Sequence, residues 1–368
     1  MHTNAALFTE AGKPLEVAEV TLDPLGPTDV RVRMEAVGVC GSDLHVIRGE
    51  WARPTPMILG HEGAGVVEEV GAEVTDHAPG DRVIIHWAPS CGECPACLHG
   101  RPATCAKLRA AIGAGTLLNG TTGISYRGEP VYRMTAVGAF AQQVAVPARS
   151  LIPLPDEMGM TEAALIGCAA LTGVGVVSNL LRVQPGAKAL VVGAGGVGQF
   201  VIQGLRLAGA EVIAVSDPSE QRRAAASSFG ATHAVGPDDL PVLVEELGGF
   251  EAVIEAVGSP PTIQAAIEAT AIGGTTAMVG MAPTGTKASF DPFVFTAQEK
   301  SLVGSMYGSA DPAVTAASVL AASTSGEMDL ASMLGLTFSL EQINEGIDAA
   351  LAGNQGRTTI LPNGNNDE

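Results

Sequence analysis

Four of the chain's six cysteines stand in one short run, Cys91-Gly-Glu-Cys94-Pro-Ala-Cys97-Leu-His-Gly-Arg-Pro-Ala-Thr-Cys105, and that run constrains the fold more than any other feature. A segment spaced this way closes on whatever its thiols hold. Four thiolates form a complete tetrahedral shell around zinc and leave no position for a substrate. The other two, Cys40 and Cys168, lie far apart in sequence; two thiolates and a histidine would leave one position open. The expectation is one structural zinc and one catalytic zinc. Disulfides are the competing reading. Cys91, Cys94 and Cys97 are too close to pair comfortably with one another, and the sequence opens without a signal-peptide pattern, so a reducing, cytoplasmic setting is expected.

A zinc module that binds nucleic acid would need a basic face. This chain carries 20 Lys and Arg against 39 Asp and Glu, a formal charge of -19, so no nucleic-acid partner is expected. At 368 residues it is long enough for two domains. No apolar run reaches the ~18–20 residues of a membrane span, and no membrane partner is expected. Forty-six glycines against 9 Phe, 3 Tyr and 2 Trp suit an α/β enzyme rich in strands and turns. The acidic surface reads as soluble and self-repelling. The tail from Pro362 to Glu368 is expected to be disordered.

Up to about residue 160, short apolar runs alternate with Gly and Pro, as in Val30-Arg-Val-Arg-Met34, the pattern of a β-rich domain. From about 170, strands alternate with helical stretches, the mark of a parallel sheet. Strands are expected at Lys188–Val192, Glu211–Ser216, Phe250–Val257 and Thr275–Val279, with a helix from Phe200 to Ala208. Gly193-Ala-Gly195-Gly196-Val197-Gly198 joins the first strand to that helix. The first glycine permits the tight turn, the second lets backbone approach a pyrophosphate, and the third allows close helix–strand packing. Asp217 ends the second strand, about 20 residues beyond Gly198, where a carboxylate takes the ribose hydroxyls of an adenosine and repels a 2′-phosphate. NAD is therefore favoured over NADP, with Arg222 and Arg223 close by as the opposing consideration.

Cys40-Gly-Ser42-Asp43-Leu-His45, His61-Glu62 and Gly167-Cys168 complete a pattern. With the four-cysteine run and the glycine loop, it resembles the zinc-dependent alcohol dehydrogenases of the medium-chain dehydrogenase/reductase superfamily, from about residue 5 to 361. The resemblance implies a GroES-like catalytic domain made of 1–169 and 307–368, and a Rossmann domain of 170–306. It implies Cys40, His61 and Cys168 as catalytic zinc ligands, with Glu62 close to the metal and Asp43 holding the liganding imidazole. Ser42 and His45 fall at the proton relay, and Arg357 at a pyrophosphate contact. Two zinc ions per chain follow, with hydride exchanged between NAD and an alcohol or aldehyde. Gly41 stands where many members carry a cation for the cofactor.

Trp51, Trp87 and Met281 match positions that line the family's pocket, and Met134 and Thr135 match its outer wall. Bulk there favours small or flat primary alcohols; the alternative is that the tryptophans are ordinary packing residues. Arg109 matches an arginine that thiol-adduct formaldehyde dehydrogenases turn toward a substrate carboxylate, and it reads equally as a surface residue. Three alternatives accompany the alcohol reading: a thiol-adduct formaldehyde dehydrogenase, a reductase of conjugated alkenes or iminium ions, and a binding protein that lost its chemistry. The last predicts eroded ligands, yet Cys40, Ser42, His45, His61, Glu62 and Cys168 are all retained. Ser301–Tyr307 matches the edge strand through which relatives pair, so a homodimer is expected, with a tetramer left open.

Overall fold

The computed structural model describes residues 1–353 and 356–364 and divides into two compact units. The first comprises Met1–Cys168, Asp311–Ala316 and Leu330–Glu368; the second comprises Ala169–Ala310 and Ala317–Asp329. Residue 169 and residues 307–310, expected in the catalytic portion, join the second unit, as do residues 317–329. Gln203 explains the last of these: its amide nitrogen donates to the Asp329 carbonyl (3.1 Å) while its oxygen accepts from the Asp329 N–H (2.8 Å).

The first unit is built on two sheets of mostly antiparallel strands. The organising strand is Asp29–Gly38, which pairs with Gly63–Val70, Gln143–Pro147 and the returning strand Arg357–Leu361. Its alternation accounts for its place: Val30, Val32, Met34 and Ala36 are fully buried. Each of the larger three stabilises the fold by about 1.5–3 kcal/mol by area. On its other face, Arg31 pairs with Glu69 at 3.1 Å and Arg33 with Glu68 at 3.5 Å.

The second unit holds a six-stranded, all-parallel sheet. Its order is His233–Val235, Val212–Ser216, Lys188–Val192, Phe250–Glu255, Thr270–Met278, Ser301–Gly304. The chain starts at Lys188–Val192, winds outward one way, then returns to Phe250–Glu255 and winds the other way. The topological switch point lies between those two strands, where doubly wound sheets take nucleotides. Leu190, Val192, Ala214, Phe250 and Val253 form the core beneath. The strand expected at Thr275–Val279 begins at Thr270, because Phe250 pairs there before a bulge.

Met160–Leu181 is a helix long and apolar enough to cross a membrane, with mean hydropathy 1.9, although no unbroken apolar run of that length exists. It is 78% buried within the protein, as a core helix is. The expected disorder at the C-terminus fails at its first residues. Pro362 is buried, and the Asn363 amide donates to the carbonyls of Met34 (2.8 Å) and Gln142 (3.0 Å). Residues 365–368 lie outside the described residues.

Candidate active site, zinc lobe and nucleotide loop

Cys40 caps the helix Gly41–Ile47, immediately after the organising strand. Asp43, in the first turn of that helix, is completely buried. One of its oxygens accepts the Cys40 N–H and the other accepts the Gly60 N–H, both at 2.9 Å. A single carboxylate thus ties together the backbone that presents Cys40 and the loop that presents His61. His61 Nδ1 lies 3.4 Å from the same Asp43 oxygen, within ion-pair range but outside hydrogen-bond geometry. Gly60 has φ +83°, and a Cβ there would lie 2.9 Å from the Phe140 nitrogen, so only glycine delivers the chain to His61.

Cys168 is placed by a π-helical turn, Ile166–Ala170, of the kind that recurs at functional sites. The preceding Gly167 lies against strand Arg82–Ile85, where a Cβ would sit 2.4 Å from the Ile85 carbonyl oxygen. Ligand atoms of Cys40, His61, Glu62 and Cys168 all fall within 4.8 Å of one another, and all four residues are buried. Glu62 is gripped from the side: Arg357 Nε and Nη2 donate to its two oxygens at 2.6 and 2.7 Å. Arg357, expected at a pyrophosphate, thus has Nε and Nη2 committed to Glu62. Gly38 makes room, because a Cβ there would come within 2.2 Å of Glu62 Oε1.

The electrostatics follow from this crowding. A hydrogen bond from the Cys168 thiol, together with the Arg357 and His61 charges, outweighs burial and holds Cys40 well below the ordinary thiol range. The same shared proton, reinforced by burial, holds Cys168 well above it. Burial works against a charged His61, but Asp43 and Cys40 outweigh it and raise its pKa. Glu62 is lifted to about 7 by burial despite Arg357. Two sulfurs and two carboxylates confront one imidazole and one guanidinium, a surplus of negative donors in a dry site. Zinc–ligand bonds of about 2.0–2.3 Å fit atoms gathered this closely.

Ser42 and His45 share a face of the same short helix, three residues apart. The His45 ring stacks on Trp51 (centroids 4.5 Å, interplanar angle 18°), and its Nδ1 bonds to Glu50, a partner the sequence reading missed. Trp87 is also buried, beside His86, whose Nε2 donates to the Arg149 carbonyl (2.7 Å) and whose Nδ1 accepts the Ala88 N–H. Met134 is buried, while Thr135 has left-handed backbone (φ +50°) and a buried hydroxyl with no partner among the described residues. Strain of this kind gathers at functional sites. The adjacent Arg133, fully buried, holds that turn by donating to the carbonyls of Thr122, Val137 and Ala145. Arg109 is exposed on the helix Ala106–Ala114 and makes no ion pair among the described residues, in keeping with a surface residue. Met281 belongs to the second unit and is half exposed.

The four-cysteine run forms a lobe of short helical turns in which Cys94 and Cys105 each precede a helix. Their sulfurs stand 3.5 Å (Cys94–Cys97), 3.5 Å (Cys91–Cys105) and 3.9 Å (Cys91–Cys97) apart, too far for any disulfide. A zinc tetrahedron with bonds of about 2.3 Å has edges of about 3.8 Å, which these separations match. Backbone N–H groups of Cys97 and Ala106 lower Cys94 to about 6, toward the thiolate a metal requires.

In the second unit, Gly193 has φ +97° and closes the turn after strand Lys188–Val192. At Gly195 a Cβ would meet nothing within 4 Å, leaving the open approach that a phosphate needs. At Gly198 it would lie 1.9 Å from the Gly193 carbonyl oxygen. Gly196 and Val197 open the helix Gly196–Leu207, capped by Gly195. Asp217 is buried; it accepts the Ala194 N–H (2.8 Å) and the Ser219 N–H (2.9 Å), so it braces the glycine turn itself. Arg222, 41% exposed, lies 4.0 Å from it, and Arg223 donates to the Asp217 and Pro218 carbonyls.

The chain matches two family descriptions, an alcohol dehydrogenase GroES-like domain over residues 26–156 and a zinc-binding dehydrogenase over 196–325. It is 34% identical to an S-(hydroxymethyl)glutathione dehydrogenase of Paracoccus denitrificans, covering 98% of this chain and all of that protein. Among solved structures it is similar to an alcohol dehydrogenase zinc-binding domain protein from Burkholderia ambifaria, at 31% identity and TM-score 0.93. That match covers 98% of this chain and 99% of the other. Benzyl alcohol dehydrogenase from Acinetobacter calcoaceticus is similar at 26% identity and TM-score 0.92, with the same coverage. Agreement along nearly the whole length of the sequence places the chain in the zinc-dependent alcohol dehydrogenase family of the medium-chain dehydrogenase/reductase superfamily.

Proposed function

We propose that the protein is a zinc- and NAD-dependent dehydrogenase that interconverts primary alcohols and aldehydes. The observation that carries this is the buried cluster of Cys40, His61 and Cys168, with Glu62 drawn aside by Arg357. Three ligands remain to hold a metal, and a position stays open for substrate. A second zinc belongs to Cys91, Cys94, Cys97 and Cys105. When bound, zinc supplies the Lewis acid that eases ionisation of an alcohol, and NAD supplies the hydride acceptor.

The chain's own residues do the rest. Asp43 beside Nδ1 keeps the His61 proton on that nitrogen and leaves Nε2 as donor atom. Ser42 would take the hydroxyl proton as it releases its own, and His45 would hand a proton to solvent, with Glu50 and Trp51 fixing the ring. Trp51 and Trp87 add bulk that favours small or flat primary alcohols over branched secondary ones. Asp217 favours NAD by charge repulsion against a 2′-phosphate. Cysteines gathered as metal ligands rather than in disulfides suit a reducing, cytoplasmic compartment. The exposed strand Ser301–Gly304 supports a homodimer formed by extending the sheet.

The test is NADH formation by zinc-loaded protein across ethanol, benzyl alcohol, polyols and ω-hydroxy acids, with Cys40→Ser as the blank. Turnover of small or aromatic primary alcohols that disappears in the blank is the expected result; turnover surviving in Cys40→Ser would sink the proposal. The S-(hydroxymethyl)glutathione dehydrogenase relatives and the unpaired Arg109 favour one second reading, oxidation of a thiol–formaldehyde adduct. Activity that requires added thiol would select it.

A further inference from the structure

Glu255 is the last residue of strand Phe250–Glu255 and stands at the switch point of the parallel sheet, directly across from Val192. It is completely buried. Its side chain is used unevenly. Oε1 accepts the Val257 N–H (2.9 Å), the Gly258 N–H (2.8 Å) and the Thr262 hydroxyl (2.8 Å). Oε2, equally buried, has no hydrogen-bond partner among the described residues. The Glu255 main-chain oxygen receives two further donors, the N–H groups of Val279 (2.8 Å) and Gly280 (3.0 Å). One residue therefore gathers the loop after its own strand, the first turn of helix Pro260–Ala269, and the loop after the neighbouring strand.

These loops leave each other no slack. A Cβ on Gly258 would lie 2.7 Å from the Met281 carbonyl carbon, and one on Gly280 would lie 2.2 Å from the Gly258 nitrogen. A Cβ on Gly193, in the phosphate turn, would lie 2.5 Å from Val257 Cγ2. The loops nevertheless leave Val257 and Met281 each 46% exposed, apolar side chains held out at the strand ends. A buried carboxylate oxygen without a partner at the switch point is one of the features that calls for an explanation beyond packing.

We propose that Glu255 is a positioning residue of the dinucleotide site: it holds the Val257–Gly258 and Val279–Met281 loops in the shape that receives the nicotinamide half of the cofactor. This rests on the dinucleotide reading above. Asp217 lies on one side of strand Lys188–Val192 and takes the adenosine half, so the other half extends over the strands whose ends Glu255 organises.

The experiment titrates the zinc-loaded protein and its Glu255→Ala and Glu255→Gln variants with NADH and, separately, with AMP. For Glu255→Ala the NADH Kd rises about tenfold, the equivalent of one charge-assisted hydrogen bond, while the AMP Kd stays within about twofold. Glu255→Gln keeps an acceptor for the three donors, so NADH affinity returns to within about threefold of wild type even though its thermal midpoint falls. Wild-type NADH affinity in Glu255→Ala, or equal weakening of AMP and NADH, would overturn the assignment. If Glu255→Ala does not fold, Thr262→Val removes one donor in a native background. A rise in NADH Kd without change in AMP supports the role, and no change overturns it. A wild-type chain that bound neither ligand would remove the dinucleotide reading, and this assignment with it.

Discussion

His86 shows what burial does to a single residue. Burial lowers its pKa from 6.5 to about 4, against the pull of the Arg149 carbonyl and Asp311. It is therefore neutral in the folded state, donating through Nε2 and accepting at Nδ1. The unfolded chain binds its proton first, so the contribution is complete above pH 6.5 and is lost as pH falls through 6.5 toward 4. The loss is about 2 kcal/mol between pH 7 and pH 5, tending to roughly 3 kcal/mol below pH 4. Both tryptophans lie in the first unit, so tryptophan fluorescence excited at about 295 nm during urea unfolding reports on that unit. His86→Gln is expected to flatten the pH dependence by that amount, and an unchanged slope would remove His86 as its source. Asp43 was legible only through the family resemblance, and its bonds to the Cys40 and Gly60 N–H groups came with the structure. Glu50 was not legible, since its bond to His45 depends on how the loop after the helix turns. The Arg357–Glu62 pair was out of reach altogether, its partners being 295 residues apart.

Among the elements, helices and strands do their catalytic work by how closely they approach. Gly167 lets the helix carrying Cys168 lie on strand Arg82–Ile85, and a methyl group there would meet a backbone carbonyl that cannot rotate away. Gly167→Ala is expected to cost about 1–3 kcal/mol as overpacking. It should also cut bound zinc from two ions per chain to one, read by elemental analysis. Full zinc content with native stability would show that the approach is not limiting. The glycine loop was legible because its strand, turn and helix are consecutive. The requirement at Gly167 was hidden, because the carbonyl it faces comes from a distant strand. Strand ends moved by a few residues for a similar reason: the bulge after Phe250 starts the next strand at Thr270, and no local signal marks it.

At the scale of the molecule, a parallel sheet ends in strand Ser301–Gly304 with one edge unpaired among the described residues. Close by in sequence, Phe290, Phe293 (80% exposed) and Val294 leave apolar surface in a chain of net charge -19. Self-repulsion at that charge opposes casual association, so pairing requires a specific apolar seam. Sedimentation equilibrium is expected to give twice the 37.3 kDa chain mass, falling to the single-chain value for Phe293→Glu. A wild-type monomer would refute the pairing. The two-unit organisation was legible from the change of texture near residue 170. The passage of residues 317–329 to the second unit was not, because Gln203 recruits it through two backbone contacts that leave no pattern in composition.

The strand Arg357–Leu361 completes the first unit's main sheet and delivers the counter-ion of Glu62. Between Glu62 and Arg357 the ribosome must synthesise the whole second unit. The second unit's parallel sheet is thus made while Glu62 still lacks its counter-ion, which arrives with the strand Arg357–Leu361. A nascent chain stalled or clipped before Arg357 would hold every zinc ligand and lack the grip that keeps Glu62 aside. The grip on Glu62 is thereby delivered only after the second unit has been made, so a chain ended before Arg357 lacks it.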